Sequence, residues 1–220
     1  MPFSDDESAP REARLVPGVH RAEALSWPEL DALLEPLQKA TYTHEEIYGA
    51  HCSLGDHIEA PYDAVFDYCA DVRSLAEWTV NIGPLERVSG ALHRGKMIFS
   101  RDDAKNPTTD IYIRSEAMKG PDHGLISYPC AWDEGHELWM RYYFVFADAA
   151  KALGRPGTVV HWVNCNHAYY DRETTPVPAF IEAGRARTDR PWAGDGWSGM
   201  LALHRLELAN LKKIAEARFG

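Results

Sequence analysis

Between residues 82 and 168 the chain divides into six short apolar-rich runs, at about 84–89, 93–102, 109–118, 123–130, 136–147 and 157–168, separated by Gly, Pro and Asn/Asp turn residues. Runs spaced this closely favour antiparallel neighbours, because a parallel pair needs a long crossover between its strands. From about residue 198 the pattern changes to a single long helix. Met200, Leu201, Leu208, Leu211 and Ala215 fall on one face, and Glu207, Lys212, Lys213, Glu216 and Arg218 fall mostly off it. Ahead of the runs, residues 51–59 form a short strand candidate. Ala60-Pro61 stops it and opens a helix through Val65, Phe66 and Tyr68 toward Asp71, and a second short helix carries Val72, Leu75 and Trp78. The order predicts an α+β domain over residues 51–220, with mostly antiparallel strands and one long closing helix.

Two further segments precede it. Residues 1–20 hold Asp5, Asp6, Glu7, Pro10 and Pro17 with few large apolar side chains, a composition expected of a flexible acidic arm. Ser26-Trp27-Pro28-Glu29 then sets a capping hydroxyl, a first-turn proline and a reciprocal glutamate at the offsets of a helix start. Leu30, Leu33, Leu34 and Leu37 supply an apolar stripe, so residues 21–50 are expected to be a helical extension.

The strand, two short helices, six strands and terminal helix resemble the layout of the START-like, or SRPBCC, superfamily, and within it the polyketide cyclase/dehydrase and lipid-transport group. The resemblance is carried by Ile58-Glu59-Ala60-Pro61, Val65-Phe66-Asp67-Tyr68, Ala70-Asp71, Leu75-Ala76-Glu77-Trp78-Thr79 and Leu208-Ala209-Asn210-Leu211-Lys212-Lys213. It spans roughly residues 51–219 in element order and about thirty residues in motif. Residues 1–50 and 171–197 have no counterpart. The resemblance implies a helix-grip fold, a curved antiparallel sheet wrapped around the long C-terminal helix with a cavity between them. It also implies an apolar or polyketide-like small molecule as ligand. Within such a group, fold alone does not choose between cyclases, dehydrases, carriers and receptors.

Composition narrows the partners. A net charge of −10 disfavours nucleic acid, whose phosphates require clustered Lys and Arg, and an anionic membrane surface. The apolar runs are too short to span a membrane, and residues 1–20 lack the pattern of a secretion signal, so a cytoplasmic location is expected. Cys52, Cys69, Cys130 and Cys165 show no C-x-x-C pairing and are expected to be buried thiols. The sequence contains no G-x-S-x-G elbow, P-loop, dinucleotide glycine fingerprint or zinc-protease pair. The chemistry expected is acid–base, without a cofactor.

His204 falls among Met200, Leu201, Leu208 and Leu211 at helical spacing, so its imidazole should face the sheet. There it is either a proton shuttle or a core histidine bonded to a backbone carbonyl. On the last strand, His161, Cys165 and His167 alternate with Trp162, Asn164 and Asn166. The first set offers soft metal ligands, but the spacing disfavours a shared ion, and a hydrogen-bonding role is expected for whichever of His161 and Asn164 faces inward. Arg101 shares a face with Met97 and Phe99, either anchoring a carbonyl or enolate from inside or standing in solvent beside Asp102, Asp103 and Lys105. Asp56 alternates with Cys52, Leu54 and Ile58; it enters the pocket as an acid or base unless Gly55-Asp56 bulges outward.

On the long strand His136, Leu138, Met140, Tyr142, Phe144 and Phe146 share a face. Trp78 ends the second short helix, where the resemblance places an aromatic near the pocket entrance. The segment 171–197, containing Trp192 and Trp197, has the composition of a lid, or of a surface against a second subunit in a homodimer. The reading is therefore a cyclase/dehydrase-like enzyme with His204 as shuttle, Tyr142 and Arg101 as carbonyl-polarising donors, and Asp56 or His161 as orienting partner. Trp78, Met97, Phe99, Met140, Phe144, Asn164, Trp197, Met200 and Leu208 are its expected ligand walls. The alternatives are a non-catalytic carrier or sensor of an apolar ligand and a protein-interaction domain.

Overall fold

A computed structural model of the chain describes residues 16–21, 24–39, 51–97, 109–131, 138–166 and 197–220. Helix α1 (Trp27–Lys39) is followed by β1 (His51–Ile58), α2 (Tyr62–Ala70), a 3-10 turn (Val72–Ser74) and α3 (Leu75–Trp78). Then come β2 (Glu86–Ser89), β3 (Leu92–Met97), β4 (Thr109–Ile113), β5 (Glu116–Lys119), β6 (His123–Ala131), β7 (Leu138–Asp148), α4 (Ala149–Leu153), β8 (Thr158–Asn166) and α5 (Trp197–Phe219). The eight strands make one sheet in the order β1-β8-β7-β6-β4-β3-β2, with β5 pairing β6 beside that path. Every pairing is antiparallel. The sheet curves about the terminal helix, the helix-grip arrangement that the resemblance implies. Among the described residues no helix is long and apolar enough to cross a membrane.

Two details depart from the sequence expectation. The run at 109–118 is two strands, broken at Arg114 and Ser115, because β4 lies between β3 and β6 whereas β5 turns to pair β6 alone. The connection after β7 also contains α4. Asp148 caps it through a bond from the Ala150 N–H, and Gly154 ends it at φ 69°, a left-handed conformation that glycine adopts without Cβ strain. The strand expected at 93–102 is described only to Met97.

Register stacks the inner face in rows. Cys52, Asn164, Tyr142 and Tyr128 form one row across β1, β8, β7 and β6; Leu54, Trp162, Phe144 and Ile126 form the next; Asp56, Val160, Phe146 and Gly124 form a third. Gly124 is needed where it stands, since a Cβ there would lie 2.4 Å from the Phe66 ring and 2.9 Å from the Tyr62 hydroxyl. Helix α5 lies over these rows. His204 meets Asn164, Lys212 reaches Asp56, and the Glu216 carboxylate accepts from the Glu59 N–H, so the helix runs alongside β1 in the same direction. Leu201, Leu208, Leu211 and Ala215 join the main core, while Ala202 and Leu206 pack with Leu30 and Leu34 of α1 and with Val80. The terminal helix is thus covered on two sides. That is why polar residues off its sheet-facing stripe are also buried.

The start of α1 follows its expected chemistry: the Glu29 carboxylate accepts from the Ser26 backbone N–H at 2.7 Å and from its hydroxyl at 2.7 Å. Of the arm expected over residues 1–20, the first fifteen lie outside the described residues, and the last five are docked rather than loose. Val16 and Val19 pack on the core. The Asn210 side chain accepts from the His20 N–H and donates to the His20 and Trp78 carbonyls, while Arg21 donates to the carbonyls of Thr79 and Ile82. Hydrophobic burial and backbone pairing supply what composition alone does not reveal. Asn210→Ala is expected to cost about 2 kcal/mol, from one buried and two part-buried hydrogen bonds lost together. Hydrogen exchange will then show the His20 amide unprotected while β7 and β8 amides stay slow.

Candidate functional site

The centre of the site is a buried polar chain where α5 crosses β8. His204 and Glu207 are three residues apart on α5, so they sit on adjacent turns, and the Glu207 carboxylate accepts the Nδ1–H of His204 at 2.7 Å. On its other side, His204 Nε2 lies 2.7 Å from Nδ2 of Asn164. Glu207 Oε1 also accepts the Val80 backbone N–H at 2.9 Å. All three side chains are almost fully enclosed, with Asn164 at 0%, His204 at 2% and Glu207 at 3% exposure. A carboxylate has no proton to donate, so Nδ1 must carry one; in the neutral ring Nε2 is then the acceptor, and the amide NH2 of Asn164 faces it.

Aromatic rings enclose this chain. The Trp162 ring lies 4.3 Å from the His204 ring, and Tyr142 meets it edge-on at 5.5 Å. Phe144 stacks on Trp162 at 4.7 Å, and Trp78 meets both edge-on. The order on the strands explains the assembly: Tyr142 and Phe144 alternate on β7, Trp162 and Asn164 on β8, and antiparallel register sets the pairs side by side. Two polar atoms in this cluster, Oδ1 of Asn164 and Nε1 of Trp162, are buried with no hydrogen-bond partner among the described residues.

Placement in the fold sets the cluster near one rim of the sheet. Asn164 is two residues from the end of β8, and His204 is on the second turn of α5. The same rim of the sheet holds the start of β1, the end of β3, the starts of β4 and β7 and the end of β6. The chain leaves and re-enters the sheet along that rim.

Of the expected site residues, the structure brings together His204, Tyr142, Asn164, Phe144 and Trp78. Met140 continues the β7 face toward the rim, and Met200 and Leu208 lie one turn to either side of His204; all three are buried. Met97 is buried against Ile82 on β3, the fourth strand from β8 in the sheet order, so it belongs to a different part of the core. Asp56 does share the helix-facing side, but β1 is an edge strand and Lys212 reaches its carboxylate at 3.1 Å; it is 39% exposed and is no pocket acid. His161 turns to the opposite, outer face, where its Nε2 lies 3.1 Å from the Ser53 hydroxyl. Strand alternation requires this once Trp162 and Asn164 point inward.

Arg101, Phe99, His136, His167 and the segment 171–196 lie outside the described residues, as do the side chains of Trp197 and Cys165. Among the described residues no three His, Cys, Asp or Glu are grouped as a metal site. Cys52, Cys69 and Cys130 are buried, and burial pushes the thiols of Cys69 and Cys130 well above the ordinary thiol range, so neither supplies a thiolate.

The residue that sequence reasoning missed is Glu207. Its charge set it among the solvent-facing positions. The signal available was its spacing, a carboxylate three residues after a histidine on one helix. The burial that makes this pair matter comes from α1 and the Val80 segment, which helical periodicity does not report.

No family model matches the chain, and no curated protein matches it. Among solved structures it is similar to a conserved protein from Geobacillus kaustophilus, at 10% identity and TM-score 0.46, covering 77% of this chain and 97% of that one. A START superfamily protein from Mycobacterium smegmatis aligns at 12% identity and TM-score 0.43, covering 78% of this chain and 97% of that one. The Aha1 dimer from Colwellia psychrerythraea aligns at 14% identity and TM-score 0.42, covering 77% and 98%. The chain's own strand order and enclosed terminal helix make its fold a helix grip.

Proposed function

We propose that the protein binds a small, largely apolar molecule inside the helix grip and moves a proton on it, in a cyclisation, dehydration or related acid–base step of the polyketide cyclase/dehydrase kind. The supporting observation is the buried Glu207–His204–Asn164 chain walled by Tyr142 and Trp162. Glu207 holds the tautomer that keeps the lone pair on Nε2 and stabilises the imidazolium formed when Nε2 takes a proton. In a dehydration the proton removed from carbon passes to Nε2 and returns to the departing hydroxyl, which leaves as water. Tyr142, whose ring meets the imidazole edge-on, is the carbonyl-polarising donor of this reading. The Asn164 amide occupies the Nε2 side, so a substrate must displace or bridge it.

That last feature favours a second reading. An imidazole with both nitrogens already engaged suits a carrier, which holds its ligand and moves no proton. Native mass spectrometry of freshly purified protein should reveal the captured molecule. Incubated with the protein in deuterated water, that molecule should gain deuterium at a carbon beside a carbonyl, and His204→Gln should abolish the gain while still capturing it. Capture without deuterium gain in the parent protein would identify a carrier.

A further inference from the structure

The two unpartnered atoms beside His204 have opposite hydrogen-bonding character. Asn164 Oδ1 is an acceptor and Trp162 Nε1 a donor, both on the inner face of β8, two residues apart, and both buried without a partner among the described residues. Leaving either unpaired weakens the fold, and folded proteins rarely tolerate two such atoms in one cluster without a use for them. Both orientations are set by their neighbours. Asn164 presents Oδ1 away from His204 because its NH2 is committed to Nε2, which Glu207 has made an acceptor. Trp162 is clamped between Phe144, 4.7 Å away, and the His204 ring, 4.3 Å away, with Trp78 and Tyr142 at its edges.

We infer that Asn164 and Trp162 are the specificity-determining pair of the interior site, and that the ligand is a carbonyl compound bearing a hydroxyl group. Its carbonyl oxygen accepts from Trp162 Nε1 and its hydroxyl donates to Asn164 Oδ1, which sets the hydroxyl-bearing end beside the imidazole. A ligand with only apolar surface leaves both atoms unpaired, and the site discriminates against it for that reason. The assignment rests on the reading that the interior binds a small molecule; it does not require that a proton be moved.

Three probes of similar size separate these contributions: 3-hydroxycoumarin carries the carbonyl and the hydroxyl, coumarin the carbonyl alone, and naphthalene neither. Titrated against the full chain by calorimetry and ligand-observed NMR, they should bind in that order, with about tenfold between successive members. Trp162→Phe keeps the ring and removes the N–H, so it should erase the preference for coumarin over naphthalene. Its melting temperature should be unchanged or higher, because an unpaired buried donor has gone; a merely structural indole would give a lower one. Asn164→Leu should erase the preference for 3-hydroxycoumarin over coumarin, and if this variant fails to fold the Trp162→Phe arm decides alone. Equal binding of all three probes to the parent protein, or preferences that survive in Trp162→Phe, would overturn the pair's role while leaving interior binding intact. Failure of every probe to bind would overturn both.

Discussion

Glu207→Leu is expected to lower the stability of the folded chain by about 3 kcal/mol, since it strips the acceptor from two buried donors at once. One is the Val80 backbone N–H at 2.9 Å and the other the Nδ1–H of His204 at 2.7 Å, in a site where Glu207 is only 3% exposed. Water cannot replace the carboxylate, because α1 and the Val80 segment close that side of α5. For a chain of this size the loss corresponds to a fall in melting temperature of roughly 10 °C. Denaturant unfolding should show the midpoint moving with an unchanged slope. Glu207→Gln retains one acceptor oxygen for two donors and should fall about midway. An unchanged midpoint in Glu207→Leu would mean that the carboxylate does not hold these groups.

Trp78→Ala should cost about 4 kcal/mol, the range for emptying a large buried aromatic site. The ring is 1% exposed, edge-on to Phe144 at 5.9 Å and to Trp162 at 5.8 Å, and its Nε1 donates to the Ser74 hydroxyl at 3.3 Å. Its backbone carbonyl accepts from Asn210, so the same residue links α3, the aromatic cluster and α5. Trp78→Phe keeps most of the packing and loses the indole hydrogen bond, and should cost about 1 kcal/mol. Thermal melts of both variants check the difference. A loss below about 1 kcal/mol for Trp78→Ala would show that the surrounding rings collapse into the space, contrary to the tight edge-to-face packing described.

The elements that were legible share a physical property: their signal is local. Alternation on β7 places Tyr142, Phe144 and Phe146 on one face because strand side chains repeat every two residues, and the structure keeps them there. Helical spacing likewise directs His204 inward with Leu201 and Leu208. Alternation leaves one ambiguity, the identity of the inner face. On β8 it separates His161 from Asn164 but does not say which enters the core. The large Trp162 on the Asn164 side decides, since its ring fills the core against Phe144. Asp56 shows a different limit. It alternates in phase with Leu54 and Ile58, yet the strand is an edge, and Lys212 from a helix 156 residues later takes its carboxylate at the surface. Pairing across such a distance leaves no mark in either local pattern.

The sequence by itself determined most of the order of elements, which side chains share a strand face, the start of α1 at Ser26 and the buried setting of His204, all consequences of side-chain periodicity and backbone capping. Tertiary structure alone decided how α5 is enclosed on two sides and why Glu207 and Asn210 are interior. It also decided that residues 16–21 are docked and that His204 stands between a carboxylate and an amide. Hydrogen-bond partners from β8, α5 and the Val80 segment must first be packed together before any of them can be assigned. Periodicity says which way a side chain points; only the packed fold says what it meets there.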